Sequence, residues 1–283
     1  MIMLNNNLRI FITAAETESL TETAKKLYVS QPAISQAIKK LEEELNVRLF
    51  IRSKRSSLKL TEAGKDILAL AYKMADLENR LYQRAYEENH LMGGLVRIAS
   101  VPLAISHILS YVLPMFKKHF PDVQVELLEG TPLDVKNMVL NFKADIGITT
   151  SPYMDMQHKP LMIDHMVSIS RNNAKRIDLK KKCPDLILCR VAKNSIEEQL
   201  AGQSIDLSHS IVMDSASTQI NMIENGNGVG IISDLMLSTI PNSLVRGEVI
   251  PKMEIEISLV ANDFDEIPPA AKEMSEMILQ RAQ

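Results

Sequence analysis

The polar side chains Gln31, Ser35, Gln36 and Lys39 crowd the front of residues 30–45, SQPAISQAIKKLEEEL. Amides, a hydroxyl and an ammonium at that spacing can exchange hydrogen bonds and charge with a polar, anionic partner. Behind them Ile34, Ile38, Leu41 and Leu45 recur at i, i+4, i+7 and i+11, one apolar stripe at roughly 100° per residue. Pro32, Gln36, Lys39 and Lys40 lie opposite that stripe, with Gln31 and Ser35 on its flanks. Ser30 is suited to cap the helix, because its hydroxyl can accept from an unpaired N–H of the first turn. Pro32 then lacks an N–H where the loss matters least. Glu42, Glu43 and Glu44 would be repelled by phosphates, so only the front of the helix could approach DNA. A recognition helix enters the major groove in that way, by its N-terminal residues. An ordinary amphipathic helix with a solvated charged face has the same signature, and this segment alone does not separate the two.

The elements that would position these groups lie on either side. Leu4, Leu8, Phe11, Ile12 and Ala15 predict a first helix by their spacing. SLTE then offers Ser19 as an N-cap with Glu22 three residues on, a capping box. A short helix with Ala24 and Leu27 as core contacts follows, and YVS turns into the polar helix. Helix, short helix, tight turn and helix describe a helix-turn-helix. Next, Leu49 and Phe50 can pin the end of the third helix. Arg52, Lys54, Arg55 and Lys59 crowd a segment whose SLKLT alternates like an edge strand. A basic two-stranded wing of this kind could straddle phosphates and would bind in a salt-dependent way.

The stretch FITAAETESLTETAKKLYVSQPAISQAIKKLEEELNVRLFIRSKRSSLKLTEAG resembles the N-terminal winged helix-turn-helix of LysR-type transcriptional regulators. The alanine-containing second helix, SQPAIS, I-x-x-LE-x-x-L, LF-x-R and LT-x-AG occur in that order. The resemblance implies that Ser30, Gln31, Pro32, Ser35 and Gln36 lie at the groove. Gln36 is the leading candidate for a base contact, since a side-chain amide pairs bidentately with adenine. Lys39, Arg52 and Arg55 are expected as phosphate clamps, which position without specifying; Arg55 reaching into a minor groove is the alternative.

About thirty residues without proline then run to Gly93–Gly94, with Thr61 suited to cap the start. Ile67, Leu70, Met74, Leu77 and Leu81 step by 3, 4, 3 and 4, an a/d seam. So narrow a stripe favours pairing with a second helix; packing against the following domain is the alternative. In the resembling family this is the linker helix that forms the dimer, which implies two-fold-related DNA half-sites and, at the next level, a tetramer. Boundaries are expected at 1–60 for the DNA-binding domain, 61–92 for the linker helix and 93–283 for an effector-binding domain.

From Leu95 strand and helix patterns alternate, which argues a mainly parallel α/β sheet. FP-x-V, ADIGI and NGNGVGI make this half similar to the LysR-type effector domain, two α/β lobes like a type 2 periplasmic binding protein. The lobes are expected at 95–165 plus 258–283 and at 166–257, with a small metabolite between them. Asp234 stands where the family often has proline, so the turn after that strand is expected to differ. ASVP ends a strand and opens a helix, so Ser100 and the backbone around Val101 and Pro102 could hold an anion. Thr131 and Thr149 stand at the ends of two other strands, where open α/β sheets place ligands. Arg190, ending LILCR, could supply a positive charge from the opposite wall. A bland reading exists for each: Ser100 as a mere cap, Arg190 as a surface charge.

Bulk properties narrow the classes. The 283 residues suffice for a small domain and a larger one, and 46% hydrophobic with 24% charged residues is globular composition. The net charge of −3 hides a split: residues 1–61 hold ten Lys/Arg against six Asp/Glu, the remainder 22 against 29. No run of about 18 apolar residues predicts a membrane span, and the first residues do not read as a secretory signal. Six scattered histidines give no metal-ligand spacing. Two cysteines make no disulfide scaffold, which points to a cytoplasmic protein. CPDLILC raises a redox-sensing alternative, although residues six apart in a strand span roughly 20 Å, beyond disulfide reach. An α/β enzyme with an incidental helix-turn-helix is the rival of another class, yet no nucleophile elbow or metal cluster appears; GNGVG lies between a helix and a strand, the wrong order for a nucleotide fingerprint. An exported solute-binding protein is a third. The expected partners are double-stranded DNA, a small-molecule effector, a second copy of the chain and RNA polymerase, with no cofactor, metal or membrane.

Overall fold

The structure, a computed structural model, describes residues 6–52, 58–89 and 94–282. The chain divides into an N-terminal unit, Met1–Gly94 with Asn141–Lys143, and a C-terminal unit, Leu95–Leu140 with Ala144–Gln283.

In the N-terminal unit α1 (Asn6–Thr17), α2 (Leu20–Lys26) and α3 (Gln31–Leu45) precede a ribbon of β1 (Phe50–Arg52) and β2 (Leu58–Leu60), then α4 (Glu62–Asn89). Leu4, Lys54, Arg55 and Gly93, all named above, fall outside the described residues. Ser19 caps α2, its hydroxyl accepting from Glu22 N–H at 3.4 Å. Phe11, Ala14, Ile34 and Leu49 are fully buried and form the core with Leu41, Phe50 and Leu58. The Phe11 and Phe50 rings meet edge-on at 5.5 Å, a favourable aromatic geometry. Gly64 opens the long helix against this core. A Cβ there would lie 2.2 Å from the Leu49 carbonyl oxygen, so only glycine lets α4 start so close to β1.

The C-terminal unit begins with β3 (Gly94–Ser100), α5 (Pro102–Ala104), a π-helical turn (Ile105–Leu109), α6 (Ser110–His119), β4 (Val123–Glu129), α7 (Pro132–Leu140) and β5 (Ile146–Thr150). The long β6 (Gln157–Ser170) leads to β7 (Ile177–Asp178), β8 (Leu186–Cys189), α8 (Arg190–Gln199), β9 (Ile211–Met213), α9 (Ala216–Glu224), β10 (Val229–Ser233) and α10 (Asp234–Thr239). Then come β11 (Val245–Gly247), β12 (Val249–Ile250), β13 (Glu254–Ala261) and α11 (Pro269–Ala282). The main sheet runs β4-β3-β5-β13-β6-β10-β8-β9. Pairing is parallel for β3 with β5 and for β8 with both β9 and β10; it is antiparallel where β13 lies between β5 and β6 and where β6 meets β10. β6 belongs to both halves of the sheet, so two α/β lobes share it, with β13 alongside as a second crossing strand.

Three places show local detail beyond the sequence reading. Residues 103–120 are not one regular helix: Ser110 N–H reaches back five residues to Ile105 O. Pro114 lies inside α6, and its ring crowds the carbonyl four residues earlier, that of Ser110; the widened turn stands directly before it. Arg190 opens α8 instead of ending a strand, because the Cys189 sulfur accepts from Ala192 N–H and caps the helix. Asp234 likewise begins α10, where an acidic residue suits the helix N-terminus. Ion pairing with Arg246 at 2.6 Å holds it.

Candidate nucleic-acid interface and ligand cleft

Ser30 is extended and its hydroxyl accepts from Ala33 N–H at 3.4 Å, which fixes where α3 starts. Ile34, Ile38 and Leu41 are buried, so the opposite face is presented outward. Gln31, Pro32, Gln36 and Lys39 are exposed there, and Ser35 is half-buried beside them. Lys39 and Lys40 lean back to Glu43 and Glu44 at 3.3 and 3.9 Å. Such exposed i,i+4 pairs contribute only about 0.3–0.5 kcal/mol, so an arriving phosphate can recruit both ammonium groups. Sequence alone does not single out Tyr28: at φ 55° and 95% exposed, it projects from the turn just ahead of Ser30.

The glutamate run is not what periodicity suggests. Glu42 folds inward, and its Oε1 accepts from Leu49 N–H at 2.8 Å and Phe50 N–H at 3.3 Å. It therefore ties the wing to the end of α3. Arg52 ends β1 opposite Leu58. Glu42→Ala should remove about 1.5–3 kcal/mol, the range for hydrogen bonds to a charged group. A thermal melt of the full chain checks this, with Glu42→Gln, which keeps an acceptor, losing less.

On α4, Leu70, Met74, Leu77 and Leu81 are 59, 52, 61 and 48% exposed. Ile67 departs from that stripe. It packs with Leu68, Ala71 and Ala75 on the N-terminal core, since the buried Ala71 lies only about 40° round the helix from it. Asp76 is buried and paired with Arg80 at 2.6 Å.

In the C-terminal unit the expected cleft residues are mostly committed to one another. Ser100 ends β3 fully buried, donating to Val101 O at 3.1 Å. Val101 N–H is bonded to Ile148 O at 3.1 Å, and Pro102 has no N–H, so neither is offered to an anion. Thr131 donates its hydroxyl to Asp134 at 2.5 Å, capping α7, and Thr149 donates to Pro132 O at 3.2 Å. These two residues come together at the α7 N-terminus. Arg190 is exposed and held by Asp214 at 2.5 Å, which cancels the free positive charge expected of it.

Residues outside the sequence reading line the junction of the lobes. Tyr153 donates to Glu256 Oε1 at 2.9 Å and accepts from Ser258 at 2.9 Å. Burial, reinforced by the Glu256 carboxylate, pushes its phenol up to about 12. Asp164, buried on β6, accepts from the Ser233 hydroxyl and from Leu235 N–H at 3.2 Å. His107 in the π-helical turn meets Leu235 O at 3.1 Å, so one lobe touches the other through α10. Lys136 on α7 is 5% exposed. No single-sequence signal marks it, because VKNMVL puts it beside an apolar stripe without showing what lies opposite.

Both cysteines are free, Cys189 buried and Cys183 half-buried. Burial raises both thiols, the opposite of an activated thiolate. Among the described residues no cluster of three or more His, Cys, Asp or Glu could hold a metal ion, and no helix is long and apolar enough to cross a membrane.

Comparison with known proteins gives a consistent picture. Residues 5–65 match the family described as bacterial regulatory helix-turn-helix protein, lysR family, and residues 89–283 match the LysR substrate binding domain. The uncharacterized HTH-type transcriptional regulator YoaU of Bacillus subtilis (strain 168) is 36% identical over 98% of both chains. A full-length OxyR variant from Pseudomonas aeruginosa, carrying a cysteine-to-aspartate substitution, superposes with a TM-score of 0.65 at 20% identity over 98% of both chains. CbnR complexed with its target DNA gives 0.54 at 20% identity, over 99% of this chain and 100% of that one. At such identity the two structures establish the fold.

Proposed function

Because the chain belongs to the LysR family of bacterial helix-turn-helix regulators, we propose that it reads a two-fold-related pair of DNA half-sites as a dimer or tetramer. A transcription regulator of this family is a DNA-binding protein and not an enzyme. In our reading Gln36 contacts base edges, with Gln31, Pro32 and Ser35 beside it at the groove, and Ser30 holds the helix start. Lys39, Arg52 and Arg55 clamp phosphates. Leu70, Met74, Leu77 and Leu81 pair two copies, Ile67 bracing the helix from behind. A small anionic metabolite between the lobes of the C-terminal unit sets the response, near Thr131 and Thr149; the end of β3 at Ser100, Val101 and Pro102 serves as wall and not as donor, and Arg190 stays on the rim. We place the protein in the cytoplasm, with RNA polymerase as the machinery it acts on. The functional boundaries follow as 1–60, 61–92 and 93–283.

The observation that carries the DNA reading is the outward face of α3: an amide, a second amide and an ammonium exposed together on a helix whose other face buries Ile34, Ile38 and Leu41, Leu45 at its end being 43% exposed. CbnR was solved on its target DNA, which supports the same mode here. Binding assays on promoter and scrambled duplexes across salt test it. Arg52→Ala should weaken all sequences alike and lower the salt slope by about one. Gln36→Ala should cost about 1–3 kcal/mol of discrimination at particular bases. Equal losses on every duplex for both variants would count against the assignment. A thiol switch is disfavoured by the raised Cys183 and Cys189 thiols.

A further inference from the structure

Given the DNA-binding role proposed for α3, on which this rests, we propose that residues 171–182 form a second contact for duplex DNA. This basic end of the lobe that holds β8 and β10 takes the phosphate backbone outside the half-sites, without reading sequence.

Six of the 22 Lys and Arg beyond residue 61 fall in this one stretch, RNNAKRIDLKKK, against a single carboxylate, Asp178. The chain beyond residue 61 is acidic as a whole, so the cluster is local and not a general surface charge. Arg171, Lys175, Arg176, Lys180, Lys181 and Lys182 are all exposed. Strand register gathers them at one end of the sheet: Gly230 lies opposite Ile169 near the end of β6, and Val229 opposite Leu186 at the start of β8. Residues just after β6 and just before β8 therefore meet. The Arg171 guanidinium lies there beside Gly226, whose Cβ would stand 3.4 Å from Nη1. The other end of β10 leads into α10 and its contact with His107, so the patch is remote from the cleft. Its backbone is pinned. Ile177 and Leu179 are buried, their N–H groups donate to Glu248 O and Ile250 O at 2.8 Å each, and the Ser168 hydroxyl donates to Lys175 O. The cations thus project from a fixed frame. Arg176 pairs with Glu248 at 4.0 Å and Lys181 with Asp178 at 3.7 Å; among the described residues the other four have no ion pair. Pairs so exposed contribute little, and a phosphate can displace them. The surroundings choose the partner. A protein partner needs apolar anchors at the centre of its interface, and among the described residues no large apolar side chain between 164 and 190 is exposed. A phosphate backbone needs only cations and amide donors, and Asn172 and Asn173, both exposed, add the amides.

Salt titrations of the full chain on two promoter duplexes test this, one ending at the half-sites and one extended by random flanks. Lys180→Gln/Lys181→Gln/Lys182→Gln should bind the long duplex about tenfold or more weakly at low salt, with the salt slope lower by about two to three. Arg171→Gln/Lys175→Gln should lower that slope by about two. On the short duplex both variants should match the wild type, and since every altered side chain is exposed, their melting temperatures should match it too. Gln36→Ala, run alongside, should change base preference on both duplexes. If both basic-patch variants bind the long duplex like the wild type while Gln36→Ala keeps its effect, the second contact is overturned and the DNA reading stands. A wild-type chain indifferent to every duplex would overturn both. Sedimentation showing that the triple variant has lost its assembly state would make the patch a contact between copies and overturn the proposal as well.

Discussion

Asp145→Ala is expected to destabilise the C-terminal unit by about 3–5 kcal/mol, the cost of removing one partner from a buried ion pair. Asp145 is 8% exposed as a residue and its side chain 2%. Oδ1 receives Arg97 Nη2 at 2.5 Å and Oδ2 receives the Arg97 backbone N–H at 2.7 Å. Truncation would remove the carboxylate that receives both the guanidinium and the backbone N–H of Arg97 where β3 and β5 run side by side. Since whole domains are stable by about 5–15 kcal/mol, much of the margin would go. The melting temperature should fall by about 10 °C or more. Replacing both residues, Arg97→Met with Asp145→Leu, should recover part of the loss, because the desolvation of two charges disappears with them while the backbone N–H at 97 still lacks its acceptor. A single mutant within about 1 kcal/mol of wild type in urea melts would show that the pair is not the anchor described.

The Leu70→Glu/Leu77→Glu variant should leave the fold intact while separating the copies. Both side chains are more than half exposed in one chain, so little core energy is at stake. Across a dimer seam, however, two carboxylates per helix would face their counterparts without partners. A monomer engages one half-site and forgoes the effective concentration that links the second. DNA affinity should therefore fall about 100-fold or more, with the circular dichroism spectrum unchanged. Analytical ultracentrifugation shows the assembly state directly. A variant that remains dimeric, or a monomer that binds as tightly as wild type, would remove the stripe on α4 from the mechanism.

Legibility in the sequence follows the range of the interaction. The helix-turn-helix, its Ser19 and Ser30 caps and the long helix are readable, because caps and periodicity involve residues within a turn or two. The alternation of strands and helices after Leu95 is readable for the same reason. Glu42 is not: its partners, Leu49 and Phe50, lie past the helix end, and a run of three glutamates reads as solvated. Periodicity misplaces Ile67 on α4 because the seam there lies only about 40° from the core-facing Ala71. The cleft is least legible. Thr131 and Thr149 stand at their strand ends as expected, yet the cation that sequence favours, Arg190, is neutralised by Asp214 from another strand–helix junction.

The position of β13 bears on how the chain is made. It is inserted between β5 and β6, and its register with Gly147 and Thr150 on one side and with Gln157 to His165 on the other is complete only at Ala261. On the ribosome the N-terminal module therefore has all its residues long before β5, already able to pair with β3, can find β13. Until β13 emerges, an unpaired strand edge stays open to aggregation. Synthesis should release a finished DNA-binding head ahead of an unfinished body, and chaperones should engage the chain in that interval.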